Sequence, residues 1–309
     1  MNIFKALVMR EMLDGKSYYI RTPIILAGLT VAILILSTIF LGTVEIEGME
    51  REKVKNIGEG IAMFQEKKPE ELASAVTMFY WGSAILPWIA FPFVIFFSLL
   101  GTLYEERRDR SIMFWKSMPV ADWQEVLAKL FVPVVIAPLI FMGVTVAAQL
   151  VIAIFMALIV LFQGGPALEM LPLGLMFVSW FTLLGHYMIS ALWTLPLLAW
   201  LLLVSSYASR MPFLWAALPP FILIAIEGIF FKTHGIANWI LMHLGGWRKA
   251  MDDSRFDNIH GPRDVFDVVI NGSLGELTSI TASSPGMWVG LIIAGGLVYA
   301  TIEMRKRAI

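Results

Sequence analysis

The sequence predicts an all-α integral membrane protein: six transmembrane helices, both termini in the cytoplasm, and an amphipathic helix at the N-terminus. Three observations predict this. Hydrophobic residues make up 58% of the 309 residues and charged residues only 15%, whereas about a quarter of the residues of a soluble domain are charged. Six apolar runs are long enough to cross a bilayer. The Lys and Arg residues are distributed unevenly among the segments that join these runs.

The six predicted spans form a single transmembrane domain over residues 1–309. A helix needs about 20 apolar residues to cross the hydrocarbon core, whereas a transmembrane barrel needs alternating segments of about 10 residues. The runs are continuous, which favours helices, at residues 24–41, 79–103, 130–162, 171–204, 212–231 and 286–302. The third and fourth runs exceed one crossing, so we expect bends at Pro133, Pro138 and Pro196, because proline removes a backbone donor.

The charge asymmetry predicts the orientation. The N-terminal segment, residues 104–129, Arg210 and the C-terminal tail together carry thirteen basic and eight acidic residues. Residues 42–78, 163–170 and 232–285 together carry ten basic and fifteen acidic residues. Because basic residues favour the cytoplasmic side, the first group is predicted to be cytoplasmic. Residues 42–78 and 232–285 then form two long outer loops.

Composition also excludes several functions. The chain has no cysteine, which rules out disulfides, thiolate nucleophiles and metal sites with cysteine ligands. The formal net charge of −1 gives no indication of nucleic-acid binding. No G-x-x-x-x-G-K-[ST] phosphate loop is present. We therefore expect no catalytic, cofactor-binding or metal-binding residues in this chain.

The predicted cytoplasmic loop between the second and third spans, YEERRDRSIMFWKSMPVADWQEVLAK at 104–129, carries the densest charge between two apolar runs. Ten of its twenty-six residues are charged. Its pattern predicts one helix over 104–116, a break at 117–119, and a second helix that Asp122 and Glu125 begin as a capping box. Phe114, Trp115 and Trp123 suit an elbow at the membrane interface or a docking surface. A loop that only sets the topology would explain the same pattern.

Two further segments outside the spans are predicted to be helical. In residues 2–16, Ile3, Phe4, Leu7 and Val8 share an apolar face that can lie at the inner interface; a frayed tail is the alternative. In the first outer loop, the helical spacing of residues 54, 57, 61 and 64 predicts one apolar stripe. Pro69 is placed as the first residue of the helix that follows.

The stretch LYEERRDRSIMFWKSMPVAD, residues 103–122, resembles the signature of the membrane subunits of bacterial type-two ABC exporters. The loop in that family commonly reads ERxDRSxxFWKSLPVSD, and this chain differs by Met118 for Leu and Ala121 for Ser. The resemblance extends to the layout: six spans, both termini inside, a cytoplasmic N-terminal helix and a long outer loop before the sixth span.

The resemblance implies that residues 104–122 form a coupling helix that sits in a groove of a separate ATPase subunit. The residues implied in that contact are Glu105, Glu106, Arg107, Arg108, Asp109, Arg110, Phe114, Trp115, Lys116 and Pro119. It further implies two ATPase subunits, which bind ATP and Mg²⁺, a second copy of this chain, and a bacterial cytoplasmic membrane. Charge reversal at Arg107, Arg108 and Arg110 is expected to uncouple the subunits without unfolding the spans.

Few polar or ionisable side chains fall inside the predicted spans. Glu227, His186 and Gln149 are candidates for a pathway or gate, because such groups in a membrane are commonly functional. Glu227 lies about one turn from the outer end of its span and could instead reach interfacial water, and His186 could bond a neighbouring helix. Gly286, Gly290 and Ala294 form a small-residue stripe that permits close helix packing.

Two other functions fit parts of the sequence. Glu105-Glu106-x-x-x-Arg110, with Phe230-x-x-x-His234 and His234-x-x-x-Asn238, resembles the motifs of CAAX-type membrane proteases. In this chain one histidine serves two motifs, and the charge asymmetry places Glu105 and His234 on opposite sides of the membrane. A membrane anchor or sensor without transport would share every span. The scarcity of buried charge argues against a proton- or sodium-coupled carrier.

Overall fold

The structure is a computed structural model that describes residues 3–41, 56–245, 263–264 and 273–307. All the regular structure in these residues is helical. The helices are α1 (Ile3–Asp14), α2 (Thr22–Leu41), α3 (Ile57–Lys67), α4 (Pro69–Gly82), α5 (Ile85–Arg108), α6 (Ile112–Lys116) and α7 (Asp122–Phe131). They continue as α8 (Ala137–Phe162), α9 (Leu173–Tyr207), α10 (Pro212–Ile226), α11 (Gly235–Leu244), α12 (Ser273–Ser283) and α13 (Pro285–Arg307).

Six helical segments in the described residues are long and apolar enough to cross a membrane, which confirms the predicted all-α class with six spans. They are Ser17–Ile39, Ile85–Arg108, Asp122–Phe162, Ala167–Tyr207, Pro212–Phe231 and Pro285–Arg307. The second helix begins at Ile85 rather than at the predicted residue 79. A turn at Ser83 and Ala84 separates it from α4, and the Ser83 hydroxyl donates a hydrogen bond to the Tyr80 carbonyl.

The three prolines that are expected to bend the long helices lie in different helical surroundings. Pro133 lies in a π-helical segment, Val132–Ile136, that joins α7 to α8, as expected where a backbone donor is missing. Pro138 lies in the first turn of α8, directly after that π-helical segment and inside the continuous helical stretch Asp122–Phe162. Pro196 lies inside α9, whose helix continues from Leu173 to Tyr207.

The longest helix, α9, is the centre of the bundle and packs along α13 and α5. Small residues of α13 allow close approach to α9, because Gly290, Ala294 and Thr301 are all buried. A Cβ atom added at Gly290 would lie only 3.2 Å from the ring of Pro196. The predicted small-residue stripe is therefore used inside this chain.

Contacts divide the described loops and helix ends between the two ends of the bundle. At one end, α1 and the end of α13 both pack on α7, and Arg107 at the end of α5 reaches the carbonyls of Ser205 and Ala208. At the opposite end, Gly58 N–H donates to Gln163 Oε1 and Gln65 Nε2 donates to Glu169 Oε1, each at 2.8 Å. This grouping matches the division of segments predicted from charge.

The two helices of residues 56–82, predicted to belong to the first outer loop, form largely as expected. Asn56 caps α3 by accepting a hydrogen bond from the Glu59 N–H at 2.9 Å. Ile57, Ile61 and Phe64 pack on a buried cluster that includes Tyr80 of α4 and Ile152 of α8, while residue 54 lies outside the described residues. α4 begins at Pro69, as predicted.

Two predictions about the 104–129 segment are wrong. The helix does not run through 104–116, because α5 ends at Arg108 and Arg110 adopts a left-handed backbone with φ of 58° before α6 begins. A left-handed residue other than glycine costs about 1–2 kcal/mol, so surrounding contacts must hold this turn. Asp122 and Glu125 form no capping box either; both carboxylates instead contact Arg305.

Candidate functional site

The candidate site is the elbow, defined as residues 109–121 between α5 and α7 with α6 at its centre. It exposes several large apolar side chains although it lies outside the hydrophobic runs. Met113 and Phe114 are each 60% exposed and Met118 is 43% exposed. The rings of Phe114 and Trp115 pack edge to face with centroids 5.0 Å apart. Trp123, at the start of α7, extends this surface.

The inner side of the elbow is held by contacts from both ends of the chain. The guanidinium of Arg10 in α1 lies 4.0 Å from the centre of the Trp115 ring, a cation–π contact. Ile112 is buried. Lys116 Nζ donates to the carbonyl of Lys306 at the end of α13, at 3.1 Å. These contacts explain how a five-residue helix, too short to be stable alone, keeps a defined position.

A buried ion network lies directly beneath the elbow and joins four helices. We define this network by seven side chains: Arg10, Glu11, Glu106, Asp122, Glu125, Lys129 and Arg305. Lys129, whose side chain is 2% exposed, lies 2.9 Å from Glu11 Oε1 and 2.7 Å from Glu106 Oε1. Its Nζ also donates to the Thr102 hydroxyl at 3.1 Å. Arg10 Nη1 donates to Glu125 Oε1 at 3.1 Å.

Arg305 completes the network from the last helix. Its side chain is 1% exposed, and its Nη1 donates to Glu106 Oε2 at 2.8 Å. Its Nη2 contacts Glu125, and its Nε lies 3.3 Å from Asp122 Oδ1 as an ion pair without hydrogen-bond geometry. Each of the three cations therefore contacts carboxylates on at least one other helix, which satisfies the requirement that buried charges be paired.

A second link joins the end of α5 to the end of α9. Arg107 Nη2 donates to the carbonyls of Ser205 and Ala208 at 2.8 and 2.7 Å. Ser205 Oγ in turn accepts hydrogen bonds from the N–H groups of Leu103 and Tyr104. Arg107 thus binds carbonyl oxygens at the end of a neighbouring helix, where a positive charge is favourable.

The structure separates the predicted contact residues into two groups. Glu106, Arg107 and Trp115 make the internal contacts described above, and Lys116 donates to the Lys306 carbonyl from an exposed position. The others point outward as exposed side chains: Glu105, Arg108, Asp109, Arg110, Phe114 and Pro119. Arg108 forms a surface ion pair with Asp109.

Sequence reasoning missed most of the ion network. Arg10, Glu11, Lys129 and Arg305 were counted only as topology signals. One signal could have been used: Asp122, Glu125 and Lys129 lie at helical spacing on the same face of α7. A charged stripe on a helix that runs directly into an apolar span indicates polar partners on neighbouring helices.

Gln149, Glu227 and His186 are the three candidates for a pathway or gate inside the spans, and the structure shows where each one lies. Gln149 is 1% exposed and links three helices, because its Nε2 donates to the Tyr80 carbonyl and its Oε1 accepts from Trp180 Nε1 at 2.6 Å. Glu227 accepts from the N–H groups of Gly235 and Ile236, at the first turn of α11. His186 is half-buried on α9. The hydrogen bonds of Gln149 and those of Glu227 therefore involve different helices.

The protease motifs are far apart in the fold. Glu105 lies beside Arg107, which contacts Ala208 just before α10. The span Pro212–Phe231 begins with α10, and its 20 residues correspond to roughly 30 Å of helix. His234 follows the far end of this span. Within the described residues, no group of three His, Cys, Asp or Glu side chains could hold a metal ion. The geometry therefore does not assemble that active site.

Comparison with known proteins identifies no relative. No family model matches the chain, and no curated protein or solved structure matches it significantly.

Proposed function

We propose that this chain is the membrane-spanning permease subunit of an ATP-driven exporter, and that its elbow is the docking surface for a separate ATPase subunit. The observation that carries the proposal is the elbow itself: a surface outside the spans that exposes large apolar side chains and is fixed to the spans from beneath. The resemblance of residues 103–122 to the loop of type-two ABC exporters supports the same assignment.

The chemistry of the elbow surface favours a protein partner. Interfaces are enriched in aromatic residues, methionine and arginine, and the elbow exposes Met113, Phe114 and Met118 beside Arg110. Such side chains gain free energy when a partner covers them, at about 25 cal/mol per Å² of apolar surface. Their place between charged segments that the positive-inside rule assigns to the cytoplasm favours a cytoplasmic partner.

The attachment of the elbow suits a mechanical role. An inward push on α6 would be transmitted to α1 through Trp115 and Arg10, and to α13 through Lys116. α5 and α7 are continuous with the second and third spans. In the proposed cycle, the ATPases close on nucleotide and displace the elbow, and the spans respond by alternating access.

The proposed assembly contains two copies of this chain and two ATPase subunits in a bacterial cytoplasmic membrane. ATP and Mg²⁺ would be bound by the ATPases. The few charged groups inside the spans favour an apolar or amphipathic cargo. In this orientation, both ends of the described chain and the elbow lie in the cytoplasm.

The test is co-purification with a candidate ATPase, together with stimulation of its activity. Replacing both Met113 and Phe114 with Ser should abolish both. The matched control is Phe162→Ser, because Phe162 is 86% exposed and lies at the opposite end of the bundle. Undiminished capture and stimulation in the elbow variant would contradict the proposal.

The charge reversal predicted for Arg107, Arg108 and Arg110 should be limited to the last two of these residues. Arg107 holds the end of α9, so its reversal would disturb the fold as well as the surface. Reversal at Arg108 and Arg110 alone changes exposed side chains. We expect this pair to weaken ATPase binding while the thermal stability of the permease stays unchanged.

A further inference from the structure

The buried ion network connects the elbow to the last span through one cation. Arg305 is the network member contributed by α13, and it contacts Glu106 of α5 and both Asp122 and Glu125 of α7. The network holds three cations and four carboxylates, so no surplus cation is available within it to replace Arg305. In the described residues, the ion pair of Asp122 is with Arg305.

Because the side chains of the network are buried, its ion pairs resist separation. The side chains of Arg305 and Lys129 are 1% and 2% exposed, and that of Glu125 is 5% exposed. Salt screens buried pairs much less than surface pairs. Loss of one partner leaves a buried carboxylate without compensation, which is strongly unfavourable. The four helix ends therefore have little freedom to move independently.

Arg10 links the same network to the elbow. It contacts Glu125 and Glu11 while its guanidinium lies over the Trp115 ring. A continuous set of contacts thus runs from α6 through Arg10, Glu125 and Arg305 to α13. α13 in turn packs along α9.

We propose that Arg305 is a positioning residue that locks the last span to the elbow, so that α1, α5, α7 and α13 move as one rigid unit. One consequence of this inference rests on the proposed function: displacement of the elbow by the ATPase would move the sixth span. The rigid unit itself can be measured without any ATPase.

The measurement is the distance distribution between two spin labels in the purified permease. The chain has no cysteine, so paired cysteines can be introduced without background. Met113→Cys on α6 and Ile292→Cys on α13 place labels at positions that are 60% and 76% exposed. The ion network lies between them.

Two substitutions and one control address Arg305. Arg305→Gln removes the charge and should broaden the distance distribution, whereas Arg305→Lys keeps the charge and should restore part of the narrow distribution. Lys306→Gln is the control, because Lys306 is the next residue, is 52% exposed and pairs with Glu303 at the surface. If Arg305→Gln does not fold, the double variant Arg305→Met and Glu125→Gln is used instead. It removes one positive and one negative charge together, and the same broadening is expected.

The outcomes separate the two proposals. A broadened distribution in folded protein, measured well below its melting temperature, supports the positioning role. A distribution as narrow as that of the unsubstituted protein overturns it. With the ATPase present, loss of the lock should reduce stimulation of its activity while binding at the elbow remains. If no ATPase binds the unsubstituted permease, the exporter assignment fails and the distance result still stands.

Discussion

Substitution of Lys129 by Met tests how much the buried ion network contributes to stability. Lys129 is 2% exposed and pairs with Glu11 and Glu106. Breaking a buried ion pair typically costs about 3–5 kcal/mol, because the remaining charge is left uncompensated. Arg10 still contacts Glu11, and Arg305 still contacts Glu106. The expected loss is therefore at the low end, about 3 kcal/mol.

This loss should be visible as a shift in melting temperature. For domains of 150–250 residues, 1 kcal/mol corresponds to roughly 2–4 °C, so we expect a fall of about 6 °C or more for Lys129→Met. The assay is thermal unfolding of the detergent-purified protein, followed by tryptophan fluorescence. Lys306→Met is the control, since its ion pair with Glu303 lies at the surface and its loss should leave the melting temperature nearly unchanged.

Two further results would test the same reasoning. Adding Glu11→Gln to Lys129→Met should recover part of the loss, because it removes one of the two carboxylates that no longer have Lys129 as a partner. The double-mutant cycle should give a coupling energy of about 0.5–3 kcal/mol. A melting temperature for Lys129→Met within 1–2 °C of the unsubstituted protein, a range of roughly half a kcal/mol, would refute the electrostatic role of the network.

Three other substitutions have defined expectations. Gly290→Ala should destabilise the protein by about 1–3 kcal/mol, since the new Cβ would lie 2.4 Å from His243 Nε2. Gly296→Ala is the control and should leave stability unchanged, because Gly296 has open space around it. Thermal unfolding compares the two variants. Gln149→Leu should cost about 1–2 kcal/mol in the same assay, because Trp180 Nε1 loses its acceptor. Burial, with the Glu11 carboxylate nearby, raises the pKa of Asp14 in the folded protein. Ionised Asp14 therefore destabilises the folded state at pH values above that raised pKa. This penalty disappears as the pH falls below the pKa of Asp14 in the unfolded chain, which is about 4. Asp14→Asn should therefore be slightly stabilising at pH 7–8 and show no such advantage below pH 4; the effect is small because the side chain is 69% exposed. A destabilised Asp14→Asn protein at pH 8 would contradict this assignment.

The spans could be predicted because the bilayer sets a simple length and hydrophobicity requirement. All six followed from runs of about 20 apolar residues, and the start of α4 at Pro69 followed from the geometry of proline. The division of charged segments between two ends also agrees with the contacts of Arg107 and Gln163.

The site was harder to predict because its chemistry depends on tertiary contacts. The spacing of Asp122 and Glu125 fits a local capping box, but in the fold an arginine 180 residues away competes for both carboxylates. The left-handed backbone of Arg110 has no local sequence signal, because arginine has no special preference for that conformation. The turn is closed by hydrogen bonds from the Arg110 N–H to the Arg107 carbonyl and from the Ser111 hydroxyl to the Glu106 carbonyl. Local patterns describe one helix at a time, whereas the network joins four.

The most direct test of the central claim is photocrosslinking from position 114 in native membranes. A benzophenone amino acid in place of Phe114 should capture a protein that mass spectrometry identifies as an ATP-binding subunit, and the same probe at Phe162 should not. A cysteine at position 113 should also resist membrane-impermeant maleimide in intact cells and react after permeabilisation. Capture of an ATPase from position 162 instead, or labelling of residue 113 from outside the cell, would contradict the proposed docking of a cytoplasmic motor at the elbow.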